Sequence, residues 1–241
     1  MTSVLFLFLA LLAEIAGTVG GFGSSVFFVP LAEWFYDFRV VLMLTALLHD
    51  FSNTAKLVFF RHHIDFRILA LFGVPSTVFV VAGAWLSRYL HTSIHEVLLG
   101  IFLAGFSAWM FFRPAFAVAP TRRNSLAGGA SAGFLAGLIG TGGALRGMSL
   151  AAFGLEKSAF IATSASIDFF VDLARTGVYW SNGYFKGMPV ATIPWLLAVA
   201  VGGTWIGKKL LEKIPQAAFR GTVLAMLFIT GLLMLGKALG K

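Results

Sequence analysis

The sequence predicts an all-α polytopic membrane protein made of two inverted repeats, each a broken helical hairpin followed by three transmembrane helices. Three observations predict this fold class. The 241 residues are 59% hydrophobic and 12% charged, which gives more apolar surface than a soluble domain of this size can bury. Uncharged stretches of membrane length recur along the chain. Two of these stretches contain a glycine-rich break, and the breaks lie at matching points of the two halves.

The apolar stretches form eight blocks that are separated by short polar joints. A helix needs roughly 20 apolar residues to cross about 30 Å of hydrocarbon. Six blocks have the length of one crossing, whereas the first and the fifth are too long for one crossing and contain the breaks. The blocks are residues 3–36, 39–60, 66–88, 95–113, 126–154, 158–180, 188–207 and 217–238.

A sequence repeat divides the chain at its midpoint. The polar joint 113–124 separates an N-terminal repeat, 1–118, from a C-terminal repeat, 122–241, within one integral membrane domain. The glycines of the breaks recur at one spacing: Gly17, Gly20 and Gly23 match Gly137, Gly140 and Gly143. The match continues after each break, where His49, Asn53, Lys56 and Phe60 correspond to Asp168, Asp172, Arg175 and Tyr179. A single duplication explains all of these matches.

The direction of the repeats depends on how the long blocks cross the membrane. A broken block that crosses once gives parallel repeats, whereas a hairpin of two half-helices, near 4–19 and 24–36, gives inverted repeats. The inverted arrangement puts nine basic residues on one side and five on the other, against eight and six for parallel repeats. Because basic residues concentrate on the cytoplasmic side, we expect inverted repeats with both termini outside.

The glycine breaks are candidate anion sites. Amide groups at the start of a helix lack intrahelical acceptors and lie at the positive end of the helix dipole, where anions bind. Broken helices at matching points of two repeats are typical of a transporter's binding site. The alternative is that the glycines only allow helices to pack closely. The predicted substrate-binding residues of the breaks are Gly20, Gly21, Phe22, Gly23, Ser24, Ser25, Gly140, Thr141, Gly142 and Gly143.

The segments that follow the breaks carry polar residues on one helix face. Charged residues within a membrane span are costly, and they usually face a cavity or one another. The further substrate-binding residues that this predicts are Asn53, Lys56, Arg146, Asp172 and Arg175. Three structural alternatives stay open. Asp172 and Arg175 could pair within their helix, Lys56 could extend to the membrane interface, and Arg146 could bind a structural partner such as Glu156.

Four residues are candidates for carrying a coupled proton, because they are titratable and lie within apolar blocks: Glu14, His49, Asp50 and Asp168. The chain has no cysteine, and its five histidines do not cluster at metal-ligand spacing. We therefore expect no metal and no cofactor. The net charge of +8 comes mostly from basic residues at segment ends, where they set orientation. A nucleic-acid partner is not expected.

The two breaks, the duplication and the polar face after each break resemble the TauE/SafE (TSUP) family of sulfite and organosulfonate exporters. The resemblance covers the whole chain, and its most specific parts are residues 17–30, 49–67 and 137–179. The sequence departs from the family pattern where Phe22 interrupts the first glycine run and where Leu150 replaces the matching proline. The resemblance implies a multi-pass carrier of small sulfur-containing anions in the plasma (inner) membrane.

The expected function is secondary-active transport, with export of sulfite, sulfoacetate, taurine or other organosulfonates. Short carboxylates or other inorganic anions are an open alternative, since helix N-termini bind carboxylates as well. An intramembrane enzyme is disfavoured because a catalytic constellation need not appear in both halves of a duplication, and a channel is a further alternative, which saturable and exchangeable flux would count against. The expected partners are a small anion and the lipid bilayer, with protons and a second copy of the chain as further options.

Overall fold

Every regular element among the described residues of the computed structural model is helical, which confirms the all-α prediction. The structure describes the chain except at residues 1, 21–22, 61–62, 91, 114–118, 120, 154, 156, 212, 214–223, 226–227, 230 and 237–241. The last apolar block, 217–238, therefore lies largely outside the described residues, although residues 231–236 within it are helical.

Two short helices follow two of the long ones, at the positions of the glycine breaks. The α-helices in chain order are α1 Thr2–Gly20, α2 Ser25–Ala32, α3 Phe38–Phe60, α4 Phe66–Ile68, α5 Val74–Leu86, α6 Thr92–Phe112, α7 Arg122–Ile139, α8 Gly143–Ala152, α9 Lys157–Ser181 and α10 Ile193–Leu211. A π-helical turn, Leu69–Gly73, joins α4 to α5, and 3₁₀ turns flank α5 and α10.

Local sequence explains several helix ends. The Asp65 side chain caps α4 by accepting a hydrogen bond from the Ile68 amide over 3.0 Å, as acidic N-cap residues do. Thr121 caps α7 in the same way. The π-helical turn ends just before Pro75, which has no amide hydrogen and whose ring clashes with the preceding turn of an α-helix. A wider turn at this point relieves that clash.

Two helical segments of the described chain are long and apolar enough to cross a membrane, Phe66–Tyr89 and Val190–Leu210. Val4–Val19 and Val97–Phe112 are apolar but shorter. Large apolar side chains such as Phe79 and Trp195 face outward on these helices, where a soluble protein would place polar ones. The helices α3 and α9 instead carry buried charged residues and lie at the centre of the bundle, in contact with each other.

The helices α5, α7 and α9 run in one direction. Residue numbers rise together along both members of each packed pair, as the contacts show. The pairs are Phe72–Gly129 and Val80–Gly137 for α5 and α7, and Gly73–Ile167 and Ala84–Asn182 for α5 and the end of α9. The helices α1, α3 and α10 likewise run together. Their pairs are Glu14–Gly203 and Thr18–Gly207 for α1 and α10, and Ser52–Thr204 and Phe59–Lys208 for α3 and α10.

The central helices α3 and α9 run in opposite directions. Asp50 accepts a hydrogen bond from Thr176 over 2.9 Å, whereas Asn53, further along α3, donates to Asp172 over 2.7 Å. Beyond the end of α3, the Asp65 amide donates to Thr163 near the start of α9. The residue numbers on α9 therefore fall as those on α3 rise. The set α1, α3 and α10 is antiparallel to the set α5, α7 and α9.

A row of glycines on α7 lets its backbone lie against α5. Gly129, Gly133 and Gly137 are spaced four residues apart and share one helix face. A Cβ atom at each of them would overlap a backbone carbonyl oxygen of α5 or of the π-helical turn just before it. At this interface the glycines serve close helix packing, as small residues do between membrane helices.

We predict that Gly133→Ala lowers the melting temperature of the purified protein, because the added methyl would overlap the Ser76 carbonyl oxygen. Overpacking of this kind costs about 1–3 kcal/mol. The matched control is Gly177→Ala on α9, where nothing lies within 4 Å of the added methyl. That variant should be as stable as the wild type or more so, since alanine favours a helix by about 1 kcal/mol over glycine. Equal melting temperatures for both variants would contradict the close α5–α7 contact.

Candidate anion-binding site

The two glycine breaks contact each other inside the bundle. Each contains a glycine in the left-handed region, Gly23 with φ +81° and Gly140 with φ +76°, a conformation that other residues rarely adopt. Gly140 ends α7 in this conformation, as glycine commonly does at a helix C-terminus. The Ser25 hydroxyl, at the start of α2, lies 3.4 Å from the Thr141 hydroxyl. The breaks from the two halves therefore meet directly.

A small cavity lies beside the first break, between α1, α3, α8 and α9. Its volume, measured as the space open to the centre of a water molecule, is about 20 Å³. The cavity therefore holds little more than one water molecule. The lining includes six polar side chains and three apolar ones that the structure brings together from these helices. They are Thr18, Asn53, Lys56, Arg146, Ser164 and Asp168, with Phe160, Ile161 and Ala165. Gly17 and Gly23 complete the wall.

The first charged pair at the cavity joins Lys56 of α3 to Glu14 of α1. The Lys56 ammonium donates to Glu14 Oε1 over 3.1 Å and to the Ser52 hydroxyl over 2.7 Å. Glu14 is fully buried and Lys56 is 8% exposed, so the lysine does not extend to the membrane interface. Four hydroxyl groups also donate to the Glu14 carboxylate: those of Thr18, Ser24, Ser52 and Thr204.

The second charged pair joins Arg146 of α8 to Asp168 of α9. The Arg146 Nη1 donates to Asp168 Oδ1, and its Nε donates to the Ser164 hydroxyl over 2.9 Å. Its Nη2 lies on the side of the first break, 3.6 Å from where a Cβ atom of Gly23 would be. Arg146 thus has a partner from the described residues, Asp168, and Glu156 lies outside them. The guanidinium spans the space between the second half's acid and the first half's break.

Arg175 stabilises the second break and does not line the cavity. Its Nη2 lies 2.6 Å from Asp172 Oδ1, so the pair predicted within α9 is present. Its Nη1 donates to the carbonyl oxygens of Ala136 and Gly140 over 3.2 and 3.1 Å. These are carbonyls at the end of α7, which have no partners within the helix. Arg175 therefore caps α7 at the point where the chain breaks.

Polar partners from α3 complete the surroundings of the Asp172–Arg175 pair. Asp172 accepts a hydrogen bond from Asn53, and its Oδ2 lies 3.4 Å from His49 Nδ1. Asn53 also lines the cavity, so it links the pair to the candidate site. Asp50 accepts from Thr176 away from the cavity.

The structure brings some of the predicted site residues to the cavity and leaves others behind it. Those that line it are Gly23, Asn53, Lys56, Arg146 and Asp168. Ser24 and Glu14 lie one contact away through the Lys56 pair. The predicted residues not among those that line it are Ser25, His49, Asp50, Gly140, Thr141, Gly142, Gly143, Asp172 and Arg175. Gly20 ends α1, and Gly21 and Phe22 lie outside the described residues.

Some glycines of the breaks have a packing role. A Cβ atom on Gly142 would overlap the Ala132 carbonyl oxygen, and one on Gly17 would overlap the backbone of Ser24. Gly137 packs against α5 in the same manner. The packing interpretation therefore describes these three glycines, whereas a Cβ atom on Gly23 would overlap nothing and would lie 3.6 Å from both Arg146 Nη2 and His49 Cε1.

Sequence reasoning missed the hydroxyl residues of the site. Thr18, Ser52 and Ser164 each lie four residues from a charged member of the two pairs, namely Glu14, Lys56 and Asp168. Residues at this spacing share a helix face, so a search for hydroxyls beside the buried charges would have found them. Thr204 comes from α10, and no local spacing indicates its contact with Glu14.

Comparison with known proteins identifies the family of the chain. A family model described as "Sulfite exporter TauE/SafE" matches residues 6–234. The chain belongs to the TauE/SafE sulfite exporter family. Searches of curated proteins and of solved structures found no match. The resemblance predicted from the breaks and the duplication is thereby confirmed, and the protein is a member of a family of membrane anion transporters.

We predict that Arg175→Ala strongly destabilises this family member, because it removes the cation that pairs with the buried Asp172 carboxylate and the donor to the carbonyl oxygens of Ala136 and Gly140. Removing one partner of a buried ion pair costs about 3–5 kcal/mol. Thermal unfolding in detergent measures the loss. Arg88→Ala is the control, since Arg88 lies over the rings of Trp85 and Tyr89 at a helix end, where such a contact is worth about 0.5–1 kcal/mol. A similar small loss for both variants would contradict the capping role of Arg175.

Proposed function

We propose that this TauE/SafE protein is a secondary-active carrier that exports small sulfur-containing anions across the plasma (inner) membrane as a multi-pass protein. Sulfite, sulfoacetate, taurine and other organosulfonates are the substrate class. The observation that carries the proposal is the convergence of two buried cations on one cavity. Lys56 comes from the N-terminal half and Arg146 from the C-terminal half, and both line that cavity beside the first break.

The lining suits an oxyanion with a short organic group. A guanidinium donates to oxyanions in a fixed, planar geometry, and an ammonium adds a compact charge. Asn53, Thr18 and Ser164 supply neutral hydrogen-bonding groups at the same wall. Phe160 and Ile161 form an apolar part of the lining, which favours the carbon chain of an organosulfonate. The anion is thus held beside the first break, where it also contacts Arg146 from α8, the helix that follows the second break.

The directions of the helices support inverted repeats, 1–118 and 122–241. Under the sequence match, α7 is the counterpart of α1, α9 of α3 and α10 of α5. In each of these three pairs the two helices run in opposite directions, as the contacts of α3 with α9 indicate. Opposed counterparts are expected for repeats related by an axis in the membrane plane. Such carriers alternate access by moving one repeat or bundle against the other around a fixed site.

Short carboxylates and other inorganic anions remain the alternative substrates, because Arg and Lys bind carboxylates with the same hydrogen bonds. A thermal-shift panel on the purified protein separates the classes. Sulfite, ethanesulfonate and taurine should raise the melting temperature at concentrations where acetate, sulfate and phosphate do not. Stabilisation by acetate alone would replace the sulfur-anion proposal with the carboxylate one.

We predict that Arg146→Ala and Lys56→Ala each weaken binding of ethanesulfonate by roughly ten- to a hundredfold, because each removes a charge-assisted hydrogen bond worth about 1.5–3 kcal/mol. Calorimetric titration of the detergent-purified variants measures this. The control is Arg123→Ala, an exposed cation at the start of α7, which should bind as the wild type does. Wild-type affinity in both cavity variants, with the fold intact, would remove the two cations from the site.

We predict that reporter fusions put the 113–124 linker in the cytoplasm and the C-terminus outside. This follows from inverted repeats with the basic side facing the cytoplasm. Parallel repeats would instead give the linker and the C-terminus the same location. A fusion in the Arg61–Arg67 joint serves as the internal reference, because it should report the same side as the linker.

A further inference from the structure

The side chains around the cavity are electrically neutral in sum. Its two cations, Lys56 and Arg146, are each paired with an acid from a neighbouring helix, Glu14 and Asp168. All four side chains are buried. A singly charged anion added to this arrangement would leave one uncompensated negative charge at low dielectric, which is strongly unfavourable. Either the anion is excluded or one of the acids is neutralised when the anion binds.

The cavity is also too small for an oxyanion unless an existing contact is broken. With room for little more than one water molecule, it cannot hold a sulfonate beside the intact ion pairs. The group that an incoming oxyanion most resembles is a carboxylate, since both accept hydrogen bonds from a guanidinium in the same geometry. The anion and an internal acid therefore compete for one cation.

Glu14 and Asp168 differ in their contacts, and the difference indicates which of the two carboxylates the anion displaces. Glu14 accepts hydrogen bonds from four hydroxyls in addition to Lys56. Within the described part of the chain, Arg146 is the one hydrogen-bond donor to Asp168. Asp168 also lines the cavity, whereas Glu14 lies behind Lys56. Displacement of Asp168 breaks one ion pair, while displacement of Glu14 would dismantle a network that joins α1, α3 and α10.

We propose that Asp168 occupies Arg146 in place of the substrate and takes up one proton for each singly charged anion that binds. The inference rests on the proposed function and assigns its coupling. The anion's oxygens take the Arg146 hydrogen bonds, and the freed Asp168 carboxylate binds a proton from water. The cavity then stays neutral with substrate bound. When the anion leaves, Asp168 loses the proton and pairs with Arg146 again.

Several charged or titratable groups face Asp168 and bear on its protonation. Arg146 comes from α8, His49 and Lys56 come from α3, and Asp172 lies one turn away on α9. Of these groups, Arg146 is the one that donates hydrogen bonds to the bound anion. Asp172 adds a second negative charge on the same helix, which disfavours two ionised carboxylates once Arg146 is engaged elsewhere. His49 lies 3.4 Å from Asp172, so its nearest acid is that residue and not Asp168.

Calorimetric titration with ethanesulfonate tests the proposal on the detergent-purified full chain. This sulfonate does not titrate near neutral pH, so any proton that is taken up on binding is taken up by the protein. The heat of binding is measured in buffers of different ionisation enthalpy, which yields the number of protons taken up. The wild type should take up about one proton per anion, and its apparent Kd should rise with pH, by about tenfold per pH unit wherever one full proton is taken up.

The decisive variant is Asp168→Asn, in which the amide oxygen can still accept from Arg146 but cannot take a proton. It should bind ethanesulfonate without proton uptake and with a Kd that is independent of pH. Asp65→Asn is the matched control, since asparagine caps a helix as aspartate does, and it should retain the wild-type proton uptake. If Asp168→Asn does not fold, Asp168→Glu keeps a carboxylate and should keep the uptake.

Each outcome bears on a different claim. Binding by the wild type without proton uptake overturns the coupling role and leaves the carrier proposal standing. Undiminished proton uptake in Asp168→Asn overturns the assignment to this residue, as does its loss in a folded Asp168→Glu. If no member of the anion panel binds the wild type at any pH, the proposed function itself fails, and the coupling fails with it.

Discussion

The burial of charge is the constraint on which the rest of the structure depends. Among the described residues, six charged side chains of Asp, Glu, Lys and Arg lie buried inside the helical bundle, where an unpaired charge is prohibitive and a paired one is tolerated. They form three pairs: Glu14–Lys56, Arg146–Asp168 and Asp172–Arg175. The first two pairs each join two helices, so the pairing fixes how the helices around the cavity lie. The third lies within α9, and its arginine holds the end of α7.

The two halves that the sequence match predicts carry these charges unequally. Lys56 and Arg175 occupy matching positions, yet Lys56 lines the cavity and Arg175 caps a helix terminus. The difference follows from what lies opposite each cation. Lys56 faces the Glu14 carboxylate, whereas the residue matching Glu14 in the other half is Phe134. With no acid there, Arg175 binds backbone carbonyls and its own neighbour Asp172. A cation can therefore change role within a repeat when one opposing side chain changes.

Sequence alone could predict the parts of this protein that depend on local pattern. The breaks were predicted because glycine permits conformations that other residues avoid, and Gly23 and Gly140 have those conformations. The Asp172–Arg175 pair was predictable from its spacing on one helix. The Arg146–Asp168 pair was not, because it depends on how closely α8 approaches α9. Nor could the sequence separate packing glycines such as Gly142 from Gly23 beside the cavity, since only the neighbouring backbone distinguishes them.

The two halves carry different charges around the cavity, although the sequence match makes their helices counterparts. Arg146 corresponds to the apolar Val26, and Glu14 corresponds to the apolar Phe134, so each half contributes a charge that has an apolar counterpart in the other. Arg146 lies on α8, the helix after the second break, whereas Glu14 lies on α1, the helix before the first break. Glu14 holds Lys56 in place through a network of hydroxyls, whereas Arg146 pairs with the Asp168 carboxylate and donates to Ser164. Under the proposed function, this difference replaces a symmetric pair of anion sites, one at each break, by a single site beside the first break. In that proposal Lys56 is the firmly held cation, and Arg146 is the cation whose carboxylate partner the substrate replaces.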